Sequence, residues 1–440
     1  MIIKFVFVFS LISSFVFANY DDSTFTYVSL PAIVDSIYIY GDSDTDTDII
    51  ERELTISIGD LVDSSHIYYD RERVFSLGIF TRVQFSVIRI DEKNTLRIYI
   101  EDGWNIWPIP FAYFQDNDWG RFSFGLDLLF NNFRGRNEKF RIKGGAGFDP
   151  SILFSYSVPD FVRSEEISLD VNVEYKSVTN RSVQAELYNG GVFDQKFFGT
   201  SLMIGNREDL FYKYSAYVGF LYIATPFFNP QISFHGDRID RFGYSGIRFT
   251  YDTRDLIQYP SKGVSLFVDV QYKGIGNDAI DYSVFMFDFR NYESMIYGLT
   301  SKWRLATRQV IGSRIPFYDN SIIGFGERIR GHYNERKEGR SLYVGSFEIR
   351  HPIIDNFDVS FDLPLLPKEL TTYRLELHTQ VFADAGIIQK DNQKMMLKDL
   401  SKGFGFGFTV LILPYNIARA EIAFNEKLSP ELILELGISF

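Results

Sequence analysis

From Gly103 to Phe440 the chain shows no sustained 3.6-residue periodicity. Apolar and polar residues alternate instead in about sixteen segments of roughly ten residues, the length at which a tilted strand crosses a bilayer. One segment carries Ile167, Leu169, Val171, Val173 and Tyr175 on one face and Ser168, Asp170, Asn172, Glu174 and Lys176 on the other. The last segment sets Leu432, Leu434, Leu436, Ile438 and Phe440 against Glu431, Glu435, Gly437 and Ser439. A soluble sandwich also alternates, but it rarely loads one face with charge and the other with aromatic rings. A closed barrel does both, because one face meets lipid and the other a wet lumen.

Composition agrees where it bears on this. Aromatic residues make up 17% of the 440 residues, with 44 Phe and 27 Tyr, which suits strands and the interfacial girdles of a membrane barrel. The net charge of -12 argues against nucleic acid as a partner, since phosphate binding needs a basic face. With no cysteine, a disulfide framework is ruled out and most structural zinc sites with it. Residues 1–18 read as an export signal, with Lys4 before an apolar core and Val16-Phe17-Ala18 as a small-residue cleavage site. Residues 19–33 are expected to be linker.

Residues 34–102 have a different texture: strand, helix, helix, strand, strand. Thr47 or Asp48 can cap the first helix, and Gly78 ends the second. Strands follow at 80–90 and 95–100 around Asp91-Glu92-Lys93-Asn94. This order, with Gly59-Asp60 and the stretch Ser76-Leu77-Gly78-Ile79-Phe80-Thr81-Arg82-Val83, resembles a polypeptide-transport-associated (POTRA) domain.

The longest extracellular connection, about 311–340, holds Gly324-Phe325-Gly326-Glu327-Arg328-Ile329-Arg330-Gly331-His332-Tyr333. It resembles the Arg-Gly-aromatic loop of the BamA/TamA superfamily of outer-membrane insertases and translocases. The resemblance implies that Gly324, Arg330, Gly331 and Tyr333 fold back into the lumen. There Arg330 would meet a wall motif that matches Phe382-Ala383-Asp384-Ala385-Gly386, through Phe382, Asp384 and Gly386. The pairing is chemically sound, since a guanidinium fork suits a carboxylate and a shielded lumen strengthens the bond. Departures from the family pattern are Phe325 after Gly324 and His332 before Tyr333. The glycine-rich run from Gly403 to Gly407 is similar to the family's penultimate strand, and no helix follows to make it a dinucleotide site.

The first barrel strand contains Pro108 and Pro110, which lack N–H donors toward one neighbour. If that neighbour is the last strand, around Gly437, the closing seam is weak and invites strand addition; alternatively both prolines precede the pairing. Leu436, Ile438 and Phe440 resemble the C-terminal signal of barrel assembly. The five histidines show no ligand spacing, no Gly-x-Ser-x-Gly elbow occurs, and Asp42, Asp44, Asp46 and Asp48 lack the glycine and distal glutamate of a calcium loop.

The expectation is a mainly β protein: a 16-stranded antiparallel transmembrane barrel over residues 103–440 with one small N-terminal α+β POTRA domain. The resemblance implies an outer-membrane, non-enzymatic assembly or translocation factor without cofactor. Its expected partners are outer-membrane lipid, unfolded client polypeptides, and periplasmic or lipoprotein accessory subunits. The competing classes are a passive pore, a lipid-handling or antigen scaffold, and, more weakly, a two-partner secretion transporter.

Overall fold

The computed structural model describes residues 26–440, apart from 115–120, 181, 235, 325, 334, 391–393, 439 and 440. The export signal and Phe440 therefore lie outside the described residues. Sixteen strands, from Ile106–Phe114 to Pro430–Ile438, run antiparallel in chain order as one sheet. Among the described residues no helix is long and apolar enough to cross a membrane, so any crossing falls to the strands.

The two-residue alternation decides which side chains enter the lumen. On the thirteenth strand (Thr372–Gln389), Arg374, Glu376, His378, Gln380 and Asp384 are buried while Val381 is exposed. On the sixteenth strand, Leu432, Leu434 and Leu436 stand exposed on the outer face. Among the described residues no second sheet covers those outer side chains, and a single-layer sheet with an apolar outside and a charged inside needs lipid around it.

The N-terminal unit begins earlier than residue 34. Two short strands, β1 (Thr26–Tyr27) and β2 (Ala32–Ile33), lie in the stretch expected as linker. They are too short to show an alternation, which is why the sequence did not reveal them. After them come β3 (Ser36–Asp42), α1 (Thr47–Glu51), β4 (Leu61–Val62), α2 (Ser64–Phe75), β5 (Phe80–Ile90) and β6 (Lys93–Asp102). The main sheet has the order β1-β5-β6-β3, with β3 parallel to β6. The N-cap of α1 is Asp46 rather than Thr47 or Asp48. Asp63 caps α2 by accepting from the N–H groups of Ser65 and His66. Gly78, at φ +70°, turns the chain from α2 into β5 in the left-handed conformation that glycine adopts without penalty.

Val34, Ile49, Ile50, Val74, Phe80, Leu96 and Ile98 form the core of this unit, and the same cluster continues into Leu256, Tyr259, Leu411 and Leu413 of the barrel. The unit is therefore seated on one mouth of the barrel. Hydrogen bonds tie Asp46 to Gly135, Tyr69 to Thr253 and Ser76 to Asp255 and Ile257.

The connection between the twelfth and thirteenth strands is short. The twelfth strand runs from Ser341 to Ser360 and the thirteenth starts at Thr372, so only 361–371 connects them. Register shifts on either side of Ile354, with Asn356 at φ +48°, break the alternation that would have disclosed the strand.

Candidate functional site

The described residues of the stretch 313–340, after the eleventh strand (Thr300–Gly312), fold into the upper lumen, where Arg330 meets carboxylates from three strands. Its Nε donates to Asp384 Oδ2 at 2.6 Å and its Nη2 to Asp384 Oδ1 at 2.8 Å, a bidentate fork. Its Nη1 donates to Glu421 at 2.8 Å, on the fifteenth strand (Asn416–Asn425), and to Glu348 at 3.2 Å, on the twelfth. Phe382 lies beneath the guanidinium, 3.5 Å from ring centroid to Cζ. Arg330 is 14% exposed, Asp384 7%, and Glu348 and Glu421 1% each, so the charges meet largely out of water, where such pairs gain most from one another.

The loop tip also reaches the last strand. The backbone N–H groups of Gly331 and Tyr333 both donate to Glu431 Oε2 at 3.1 Å. Tyr333 stacks with Arg328, 3.9 Å from centroid to Cζ, and packs against Phe382, Ala423 and Ile433. Gly324, at φ +98°, sits where the loop doubles back against Glu335.

The tightest approach of loop to wall is at Gly403, with a second close approach at Gly331. A Cβ at Gly403 would stand 1.6 Å from the Arg330 carbonyl oxygen, so the loop backbone can lie on the wall only over a glycine. At Gly386 the neighbour is the side chain of Ile329, not backbone. Glu348, Glu421, Glu431 and Gly403 were all missed as site residues. For the two glutamates bonded to Arg330, the signal was present as a carboxylate on the lumen face of the strand alternation.

The seam can be read from backbone direction. Asn131 N–H donates to Asn105 C=O at 2.7 Å, and Ile106 pairs with Phe130. In an antiparallel ladder this aims the odd-numbered residues of the first strand at the second, and Pro108 and Pro110 away from it. At the other edge Asn425 N–H donates to Ser429 C=O, which aims the even-numbered residues of the last strand at the seam. Pro430 is therefore a third seam position without a donor. Gly437 was expected at the seam, but it is odd-numbered and its backbone faces Ile417 on the fifteenth strand. Leu436 and Ile438 pair with Ala418 and Asn416 and direct their backbone outward. Among the described residues no ladder joins the first strand to the last.

At the opposite end of the lumen, Arg374 donates to both oxygens of Glu72 on α2, at 3.0 and 2.7 Å, and to Glu376 at 2.7 Å. Glu53 of the N-terminal unit holds Arg73 at 2.9 Å and Arg207 of a periplasmic turn at 2.6 Å. His378 lies 2.9 Å from Glu376, as a hydrogen-bonding partner within the lumen wall.

Comparisons with known proteins fit this geometry. A family model described as "Omp85 superfamily domain" matches residues 132–426, and one described as "Surface antigen variable number repeat", the POTRA model, matches residues 32–103. No curated protein matches the sequence. Among solved structures, BamA from Haemophilus ducreyi lacking POTRA domains 1-3 aligns at 15% identity over 92% of this chain and 83% of that one, with a TM-score of 0.53. CdiB from Escherichia coli aligns at 10% identity over 93% and 76%, also with a TM-score of 0.53. At such identities these likenesses speak to the fold. A POTRA unit on a sixteen-stranded barrel, matched by both family models, makes this chain a member of the Omp85 superfamily, a family of outer-membrane assembly and transport factors.

Proposed function

We propose that this protein assists the insertion or passage of client polypeptides at the outer membrane, with the barrel seam as the place where client strands pair. The observation that carries this reading is the direction of the three prolines. Pro108, Pro110 and Pro430 all turn a donorless nitrogen toward the seam. Each missing bond removes roughly 0.5–1.5 kcal/mol from closure. The unused edges, Leu432, Leu434 and Leu436 on one side and Ala112 on the other, still offer backbone groups to an incoming strand.

The POTRA unit would capture extended clients and pass them to the seam, and Arg330 with Asp384 would hold the loop that braces the wall. A lumen filled by the loop above and covered by the POTRA unit below weighs against the passive-pore reading. Residues 1–18 as export signal and the C-terminal residues as an assembly signal belong to the same proposal.

The chain contains no cysteine, so pairs introduced between the first and last strands are the only thiols. Locking such a pair by oxidation should stop delivery of barrel proteins to the outer membrane, and reductant should restore it, with outer-membrane proteomics as the readout. Normal delivery through a fully locked seam would sink the proposal.

A further inference from the structure

The outer wall carries a feature that insertion does not use. On the seventh strand (Tyr212–Ala224), the buried side chains of Ser215 and Tyr217 face the lumen, so Ala216 faces outward. Its neighbours across the ladder are Ile204 on the sixth strand and Ile247 on the eighth, and Ile247 in turn pairs with Val270 on the ninth. A methyl group between two isoleucines leaves a hollow. The hollow is lined almost wholly by apolar side chains and has a volume of about 530 Å³, within the ~300–1,000 Å³ usual for ligand pockets.

Its place in the wall indicates what fills it. The strand rises from the periplasmic turn that holds Arg207, which Glu53 of the POTRA unit grips. Ala216 is four residues above the strand's start at Tyr212, about 13 Å along the strand at ~3.3 Å per residue. That depth belongs to the periplasm-facing leaflet. At the lower rim of the hollow stands a cluster of aromatic rings on the same outer face. Tyr214 and Phe249 lie 5.1 Å apart between centroids, and Tyr212 and Tyr251 lie 4.8 Å apart. Tyrosines at this level sit where headgroups begin, with their rings in the apolar layer and their hydroxyls toward water.

We propose that the Ala216 hollow is a binding site for one acyl chain of a phospholipid in the periplasm-facing leaflet, with its headgroup beside Tyr212, Tyr214 and Tyr251. A smooth belt gives a chain contact on one side only. A shallow hollow flanked by Ile204, Ile247 and Phe249 adds contact along the chain's sides, and dispersion contacts, small singly, add up over its length. The hollow is continuous with the lipid-facing belt, so a chain enters from the bilayer and meets no polar barrier. The site lies on the seventh and eighth of sixteen strands, nearly opposite the seam. The lipid would therefore be a resident of the wall least involved in strand pairing.

The test uses full-length protein reconstituted in palmitoyl-oleoyl phosphatidylethanolamine vesicles, extracted in mild detergent, and analysed by native mass spectrometry. Wild type should emerge with one phospholipid bound. Ala216→Leu fills the hollow and should lose it. Val218→Leu, on the same outer face one step higher, should keep it. All three proteins should show the same heat-modifiability, because each change is apolar for apolar on a lipid-facing surface. Wild type free of lipid, or Ala216→Leu retaining as much as wild type, would overturn the proposal. So would equal loss in both variants.

Discussion

Arg330 and Arg374 stand at opposite ends of one lumen and do similar work with opposite polarity. Above, the arginine belongs to the inserted loop and the carboxylates to the wall; below, the arginine belongs to the wall and the carboxylate to the docked POTRA helix. The upper clasp spreads one guanidinium over three strands, whereas the lower one joins two domains at a single glutamate. The difference bears on what each can release. Loosening the upper clasp strands several carboxylates inside the barrel. Loosening the lower one removes one of several ties on a domain that keeps most of its own core.

The largest effect should therefore follow Arg330→Ala. Asp384 would keep only Ser346, at 2.6 Å, as a close side-chain partner, and a buried charge left this way costs about 3–5 kcal/mol. The expected outcome is a barrel that loses its heat-modifiable folded form at markedly lower temperature. Arg330→Lys should recover little, because a point charge cannot reproduce the fork. Equal thermal behaviour of wild type and Arg330→Ala would break the comparison.

A smaller effect is expected below. Glu72 also receives Arg71, at 2.6 Å, so Arg374→Ala leaves it one cationic partner. Loss of a buried charge partner costs about 2–5 kcal/mol, and the surviving Arg71 places this case near the lower limit. That loss should fall on docking: protease cleavage near residues 103–105 should rise while barrel heat-modifiability holds. Arg374→Lys should keep part of the protection, because it retains a charge opposite Glu72 though not the fork, which a merely steric contact would not explain.

The two clasps also differ in how far the sequence disclosed them. The strand count, the lumen face and the meeting of Arg330 with Asp384 were legible, because a two-residue period and a motif pair are local signals. Glu72 was not, since a glutamate on a helix surface gives no sign of which domain will cover it. The ends of the twelfth and thirteenth strands were lost where bulges near Ile354 shift the period. The wrong assignment of Gly437 to the seam has the same root: a sequence shows which face a side chain takes, but backbone direction needs the register of the neighbouring strand.

The smallest effect sharpens the comparison, because it belongs to the upper clasp alone. His332, two residues after Arg330 in the loop, places Nε2 2.8 Å from Glu426 and Nδ1 2.9 Å from Glu335. Burial by itself would lower its pKa, but the two carboxylates outweigh burial and hold the imidazolium above its ordinary value. A folded-state pKa raised in this way contributes stability that is complete below the unfolded value of roughly 6.5 and is lost as pH climbs through the raised value. Glu335 and Glu426 are about half exposed, at 51% and 49%, so solvent screening keeps the contribution below about 1 kcal/mol. Proteolysis of the loop in intact protein should accordingly quicken from mildly acidic to mildly alkaline pH. In His332→Gln, which carries no titrating charge, that pH dependence should flatten. A wild-type loop cut at the same rate across the range would remove His332 from the clasp and leave Arg330 to hold the tip with Glu431.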